Sequence, residues 1–193
     1  MRTKTVNVYT YSELSEKAKE YARMTYGQFD DVEFLTEEMK LQLHDAGFPD
    51  AKVNWSLAFC QGDGVCFMGE WYGRDDGMKE MVVQAYKGEV PKNVQRILPF
   101  VRLQLTKFEH YYCHAYTVSA EVDIVENYVG NIDRIEAIME ELEKDLNEYR
   151  IEMCEKLERF GYGYIEDCES EERFADDAEA NEWEFYENGE MVV

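Results

Sequence analysis

Residues Val53–Trp71 read VNWSLAFCQGDGVCFMGEW. Val53, Trp55, Leu57 and Phe59 alternate with Asn54, Ser56, Ala58 and Cys60, the period of a strand with one buried face. Gln61-Gly62-Asp63-Gly64 interrupts the pattern, and Val65, Phe67 and Trp71 resume the same parity. Two such runs around a Gly-Asp-Gly tip predict an antiparallel hairpin. Centring the turn on Asp63 sets Phe59 opposite Phe67 and Cys60 opposite Cys66, which keeps the apolar side chains on one face.

The flanks supply helices. Thr5–Tyr11 alternates as a short strand, and Ser12 or Ser15 then caps a helix running to about Tyr26. After Asp30 or Asp31, the residues Val32, Leu35, Met39, Leu43 and Ala46 recur at helical spacing; Gly47 and Pro49 end that helix. Downstream of the hairpin, Asp76 to about Tyr86 reads as a short helix. Pro91 opens another that runs to about Lys107, kinked or split at Pro99. His110–Val125 alternates as a long strand whose buried face carries Tyr112, His114, Tyr116, Val118, Ala120, Val122 and Ile124. Gly130-Asn131 precedes a helix over Ile132–Phe160, roughly 43 Å long at 1.5 Å per residue, which Gly161 ends. Its seam is Ile135, Met139, Leu142, Leu146, Tyr149, Met153, Leu157 and Phe160, a surface that would also serve to join two copies of the chain. Ser170 caps a short acidic helix to about Ala180, and Asn188-Gly189 signals a closing hairpin. The expected fold is a single α+β domain over residues 1–193: an antiparallel sheet packed with helices, with one long C-terminal acidic helix. Residues 131–193 form a strongly acidic helical part that ends in a short hairpin.

Charge narrows the function. The net charge is −22 over 193 residues. From Val101 onward 26 Asp+Glu stand against 8 Lys+Arg, whereas the first hundred residues have 16 against 12. Such a surface repels nucleic acid and anionic membrane and attracts proteins with basic grooves. At 14% aromatic and 45% hydrophobic, the chain has the means to fold around a core and is no disordered acidic tail. No stretch approaches the ~18 apolar residues of a membrane span, and no apolar signal core follows the N-terminus. Five cysteines without CxxC spacing fit a reducing compartment. A cytoplasmic protein is expected.

Two constellations stand out. Glu141, Asp145, Glu148, Glu152 and Glu155 recur at four- and three-residue steps, a row with carboxylates about every 5–6 Å on one helix face. That spacing is close to the separation of neighbouring phosphates. The plainer account is a solvated face with pairs such as Glu140–Lys144, Glu152–Lys156 and Glu155–Arg159. The excess of acid continues, however. Glu166, Asp167, Glu169, Glu171, Glu172, Asp176, Asp177 and Glu179, then Glu182, Glu184 and Glu187, face Arg173 alone. The other constellation is the hairpin tip, where Gln61 and Asp63 would share a pocket with Tyr112 and His114. The plainer account there is turn chemistry. Cys60 and Cys66, with Cys113 or His114, lack the spacing of a zinc site, and His110 and His114 on one strand face lie about 13 Å apart. No metal or cofactor is expected. No phosphate loop, dinucleotide fingerprint or nucleophile constellation is present, so enzymatic activity is not expected.

YTYSELSEKAKEYA, the hairpin QGDGVCFMG, the strand HYYCHAYTVSAEVD and the ending ANEWEFYENGE occur in this order. Together they resemble small acidic accessory proteins of tailed phages and prophages. The resemblance implies a protein made in the cytoplasm of an infected bacterium and implies no activity. Joined to the charge, it leads to the expectation of an inhibitory binding protein of anti-restriction or anti-CRISPR type. Such a protein would offer a nucleic-acid-like acidic surface to a host nucleic-acid-binding protein, without binding nucleic acid itself. The alternative is a small hydrolase or transferase working at the hairpin tip and His114.

Overall fold

The computed structural model describes residues 5–29, 31–109, 111–125 and 135–192. The fold is α+β. Its helices are α1 (Glu16–Tyr26), α2 (Val32–Asp45), α3 (Asp76–Ala85), α4 (Lys92–Ile97), α5 (Glu136–Cys168) and α6 (Glu171–Ala180). The strands β1 (Lys52–Ser56), β2 (Gly64–Tyr72), β3 (Val101–Lys107) and β4 (Val118–Ile124) form one antiparallel sheet in that order. The chain divides into two compact units, one of residues up to Val32 with those from Tyr162, the other Glu33–Gly161. The acidic C-terminal part therefore contributes to both.

In the unit Glu33–Gly161, Val65, Phe67, Val101, Leu103 and Val122 are buried in the sheet, and Leu35, Met39 and Leu43 bury one face of α2. Gly47 sits at φ +88°, the left-handed position that ends α2. Phe48, fully buried, is the hub that ties helix to sheet. Its ring meets Phe67 at 4.8 Å and Trp71 at 5.3 Å edge-on, and stacks on Tyr149 of α5 at 5.7 Å. The polar ends of two of these rings are satisfied by backbone: Trp71 Nε1 donates to Pro49 O, and Tyr149 Oη to Ala46 O. Glu143 of α5 accepts from the Val122 amide of β4, an outer strand of the sheet.

In the other unit, Tyr11, Leu14, Ala18, Ala22, Phe174, Ala178 and Phe185 form a small core. Tyr9 and Phe185 exchange two backbone hydrogen bonds of 2.8 Å, and the Asn188-Gly189 hairpin closes with Phe185 opposite Met191. Ser15 and Ser170 cap α1 and α6.

Several sequence expectations are corrected. Thr5–Tyr11 is no strand: Tyr9 makes an isolated bridge, and a 3₁₀ turn follows at Tyr11–Glu13. The helix from Pro91 stops at Ile97, where Pro99 cannot supply the next amide donor. Val101–Lys107 is instead β3, with Val101, Leu103 and Leu105 buried in period two. The long strand shrinks to Val118–Ile124 because a 3₁₀ turn at Ala115–Thr117 takes its place upstream. There the Thr117 amide and hydroxyl both donate to His114 O, a local alternative to ladder pairing. Tyr116 is consequently 69% exposed, not buried. His110, expected to begin that strand, and Gly130–Arg134, expected to lead into the long helix, lie outside the described residues. The hairpin register is shifted by six residues, an even number, so faces are kept. Val53 pairs with Phe67 and Asn54, not Cys60, with Cys66. Finally, α5 passes through Gly161 and runs 33 residues, about 50 Å.

Candidate functional site

The row on α5 follows from helical geometry. At about 100° per residue, Glu141, Asp145, Glu148, Glu152 and Glu155 fall within roughly 40° of one meridian. The buried residues Leu142, Leu146, Arg150, Met153 and Leu157 centre on a line roughly 140° away. The carboxylates thus face away from the core. The mean spacing of the row is about 5 Å along the axis. Glu141, Glu148, Glu152 and Glu155 are exposed; Asp145 is half-buried. Asp145 stands beside Tyr86, whose pKa is raised by burial first and then by Asp145. The Tyr86 hydroxyl is buried and Asp145 does not reach hydrogen-bonding geometry with it. Lys144 meets Glu148 at 3.8 Å, a loose and solvated pair. Arg150 is no counter-charge for the row. It is buried, its pKa lowered by that burial, and it donates to Asn147 Oδ1 and to Ala115 O at 2.7 Å. Of the apolar seam, Ile135, Leu142, Leu146, Met153 and Leu157 are buried, and Met139, Tyr149 and Phe160 are half-buried.

In the other unit, Glu166, Asp167, Glu169, Glu171, Glu172, Asp176 and Glu179 are exposed, and Asp177 is half-buried. Glu171 and Glu172 occupy the first turn of α6, where the helix dipole favours them. No basic residue stands in its last turn. Two arginines offset part of this charge: Arg173 Nε lies 3.3 Å from Asp177, and Arg23 lies 3.8 Å from Glu171.

The hairpin tip brings the alternative residues together. The chain from Leu57 to Asp63 is a loop organised by one side chain. Asp63 Oδ1 accepts from Ser56 Oγ at 2.6 Å, and Oδ2 accepts from the amides of Ala58 and Cys60 at 2.7 Å each. These bonds, the Ser56 hydroxyl foremost, hold the Asp63 carboxyl below its ordinary range. Gly62, at φ +90°, lies under the Tyr112 ring, where an added Cβ would come within 2.4 Å, and its carbonyl accepts from the Cys113 amide. A Cβ on Gly64 would meet Glu158 Oε2 at 2.9 Å and His114 Cβ at 3.1 Å. Gln61 is exposed beside them. Glu158 has its pKa raised by burial first, with Glu155 and Asp63 adding and His114 opposing.

Tyr112 and His114 thus flank Gly62 and Gly64 of the loop, while the Asp63 carboxylate turns to Ser56, Ala58 and Cys60. Both Asp63 oxygens hold the loop. His114 Nδ1 accepts from the Tyr116 amide at 3.2 Å, so in the neutral ring the proton sits on Nε2 and the one basic lone pair, on Nδ1, is taken up by that amide. Among the described residues, no group of three or more His, Cys, Asp or Glu is placed to hold a metal ion. Cys66 and Cys154 are buried, and their thiol pKa values are pushed up by burial, Cys154 to about 12. Cys60 is exposed in the loop. Glu158 and Arg150 are the residues that the sequence reading missed. Arg150 had a signal, because it sits four residues after Leu146 and three before Met153, on the apolar face itself.

Residues 21–173 match the model of a domain of unknown function, DUF8835. The chain belongs to that family. The matched span holds the hairpin tip and the whole carboxylate row of α5, and ends before Trp183 and the closing hairpin. No curated protein and no solved structure matches the chain. Among the described residues, no helix is long and apolar enough to cross a membrane.

Proposed function

We propose that this chain is a phage-encoded inhibitory protein of anti-restriction or anti-CRISPR type. Its carboxylate row on α5 occupies a basic groove that otherwise receives a nucleic-acid backbone. The observation that carries the reading is the placement of the row: five acids at about phosphate spacing on one side of α5, Glu141, Glu148, Glu152 and Glu155 exposed and Asp145 half-buried, with Lys144–Glu148 a loose contact at 3.8 Å. The exposed acids of residues 166–179 extend the same chemistry in the other unit. Mutual repulsion among so many carboxylates works against folding, and a cationic partner relieves it. The enzymatic alternative is weakened by the engagement of both Asp63 carboxylate oxygens and of His114 Nδ1.

The test is capture of bacterial proteins on the immobilised chain, with and without duplex DNA, followed by titration of each captured protein in rising salt. The reading expects a nucleic-acid-binding protein that DNA displaces, with affinity falling steeply between low and physiological salt. Replacing Glu148, Glu152 and Glu155 together by Lys abolishes that complex. A complex indifferent to salt, to DNA or to this reversal discards the proposal.

A further inference from the structure

A second recognition feature lies outside the span matched by the family. In the unit that holds both flanks of the chain, a cleft of about 650 Å³ opens between the 3₁₀ turn at Tyr11 and helix α6. That volume lies within the ~300–1,000 Å³ usual for small-ligand clefts. Ala175 and Ala178, one turn apart on α6, leave the space that larger side chains would fill. Trp183 forms a wall. Its ring is propped at 5.6 Å by Phe174, which in turn meets Tyr11 edge-on at 5.0 Å, so the indole stands on a packed aromatic base.

The polar lining of this cleft is rich in acceptors. Glu179, Glu182 and Glu184 line it, all exposed, and among the described residues no Lys or Arg does. Of the three lining hydroxyls, those of Thr10 and Ser12 have their protons committed, and the third is the phenol of Tyr11. Thr10 Oγ1 donates to Glu13 Oε2 at 3.0 Å, which leaves Ser12 Oγ as the donor in its 3.1 Å contact with Thr10 Oγ1. Lys19 lies 5.9 Å from the Tyr11 ring but is paired with Glu16 at 3.2 Å and does not line the cleft. Two residues past the end of α6, Glu182 stands in the left-handed region, φ +53°, where glycine fits with least strain. A carboxylate is held there against the backbone's preference.

We infer that this cleft binds an arginine side chain of a protein partner, the guanidinium stacked on Trp183 and bonded to Glu179, Glu182 and Glu184. An aromatic wall beside several carboxylates suits a planar, donor-only cation that stacks and forks. The inference deepens the reading of a basic partner, yet it uses other side chains than the α5 row, so each can fail alone.

The probe is the tripeptide acetyl-Gly-Arg-Gly-amide added to the full-length, isotope-labelled chain, with the citrulline peptide as its uncharged isostere. The arginine peptide shifts the Trp183 indole and the amides of residues 178–184, and binds about tenfold more tightly than the citrulline peptide. Glu182→Gly weakens peptide binding severalfold while raising the melting temperature, because the left-handed residue is relieved. Loss of binding therefore cannot be laid to misfolding. Reversing Glu148, Glu152 and Glu155 leaves these shifts unchanged. Equal binding of both peptides, no shift at Trp183 at about 10 mM peptide, or unchanged affinity in Glu182→Gly overturns the inference. A lysine peptide that binds better than the arginine one overturns the assignment to arginine.

Discussion

Replacing Gly163 by alanine stabilises this chain, and replacing Gly161 two residues earlier does not. Both lie inside α5, at helical backbone angles. Alanine in a helix interior is favoured over glycine by about 0.8–1.0 kcal/mol, chiefly through the entropy of the unfolded chain. At Gly163 nothing lies within 4 Å of the added Cβ, so the whole gain is realised. For a chain of this length that raises the melting temperature by roughly 2–4 °C. At Gly161 the Cβ would stand 2.3 Å from Leu57 Cδ1 and 2.8 Å from Met39 Cε. Both atoms are side-chain tips, but Met39 is fully buried and Leu57 is 8% exposed, so neither has room to swing clear; crowding of such a packed site costs about 1–3 kcal/mol, which cancels or exceeds the helix gain. The two variants should therefore differ by about 1–3 kcal/mol in urea unfolding followed by far-ultraviolet circular dichroism. A Gly163→Ala chain no more stable than the parent, or a Gly161→Ala chain as stable as the Gly163→Ala one, refutes the reasoning.

Three further outcomes are expected. Leu146→Ala empties a fully buried seam position of α5 and lowers stability by about 3–5 kcal/mol, read from the urea midpoint. Burial raises the Cys154 thiol to about 12 in the folded chain, above its ordinary value of 9.0. Its contribution is thus fully present below pH ~9 and is lost as pH rises toward 12, since the unfolded chain sheds that proton first. Cys154→Ala flattens the alkaline fall in the urea midpoint; an identical slope with and without the thiol counts against the burial assigned to it. Asp63→Ala frees the amides of Ala58 and Cys60, so their hydrogen exchange accelerates and the Cys60 thiol reacts faster with a disulfide reagent. Unchanged exchange at both amides means the carboxylate is not what organises the loop.

Helices α1, α2, α3 and α6 were legible because serine caps, Gly47 and three- and four-residue apolar spacing act within a few residues of chain. The face carrying the α5 acids was legible for the same reason: helical period alone separates Glu148 and Glu152 from Leu146 and Leu157. Strand β3 was not, since Val94, Ile97 and Leu98 set a helical pattern that Val101 and Leu105 also satisfy. What decides there is the pairing of Leu103 with Trp71 and with Val122, which no local window contains. Gly161 looked like a helix end but serves close approach to Leu57 and Met39, distant in sequence. At the hairpin tip, Asp63 was correctly a turn residue, but its acceptance from Ser56, Ala58 and Cys60 lengthened the loop and moved the register. Asp145 belongs to the row by period, and its half-burial beside Tyr86, distant in sequence, lies outside what any local window contains.

The paired backbone bonds between Tyr9 and Phe185 join segments that leave the ribosome far apart in time. The 129 residues from Glu33 to Gly161 are translated between the two halves of the unit that those bonds close. At ribosomal speed that interval is on the order of ten seconds. Throughout it Leu14, Ala18 and Ala22 wait without Phe174 and Phe185, their eventual neighbours. The earliest-made helix is therefore among the last to find its place, and a ribosome stalled before Phe185 leaves it without that shelter.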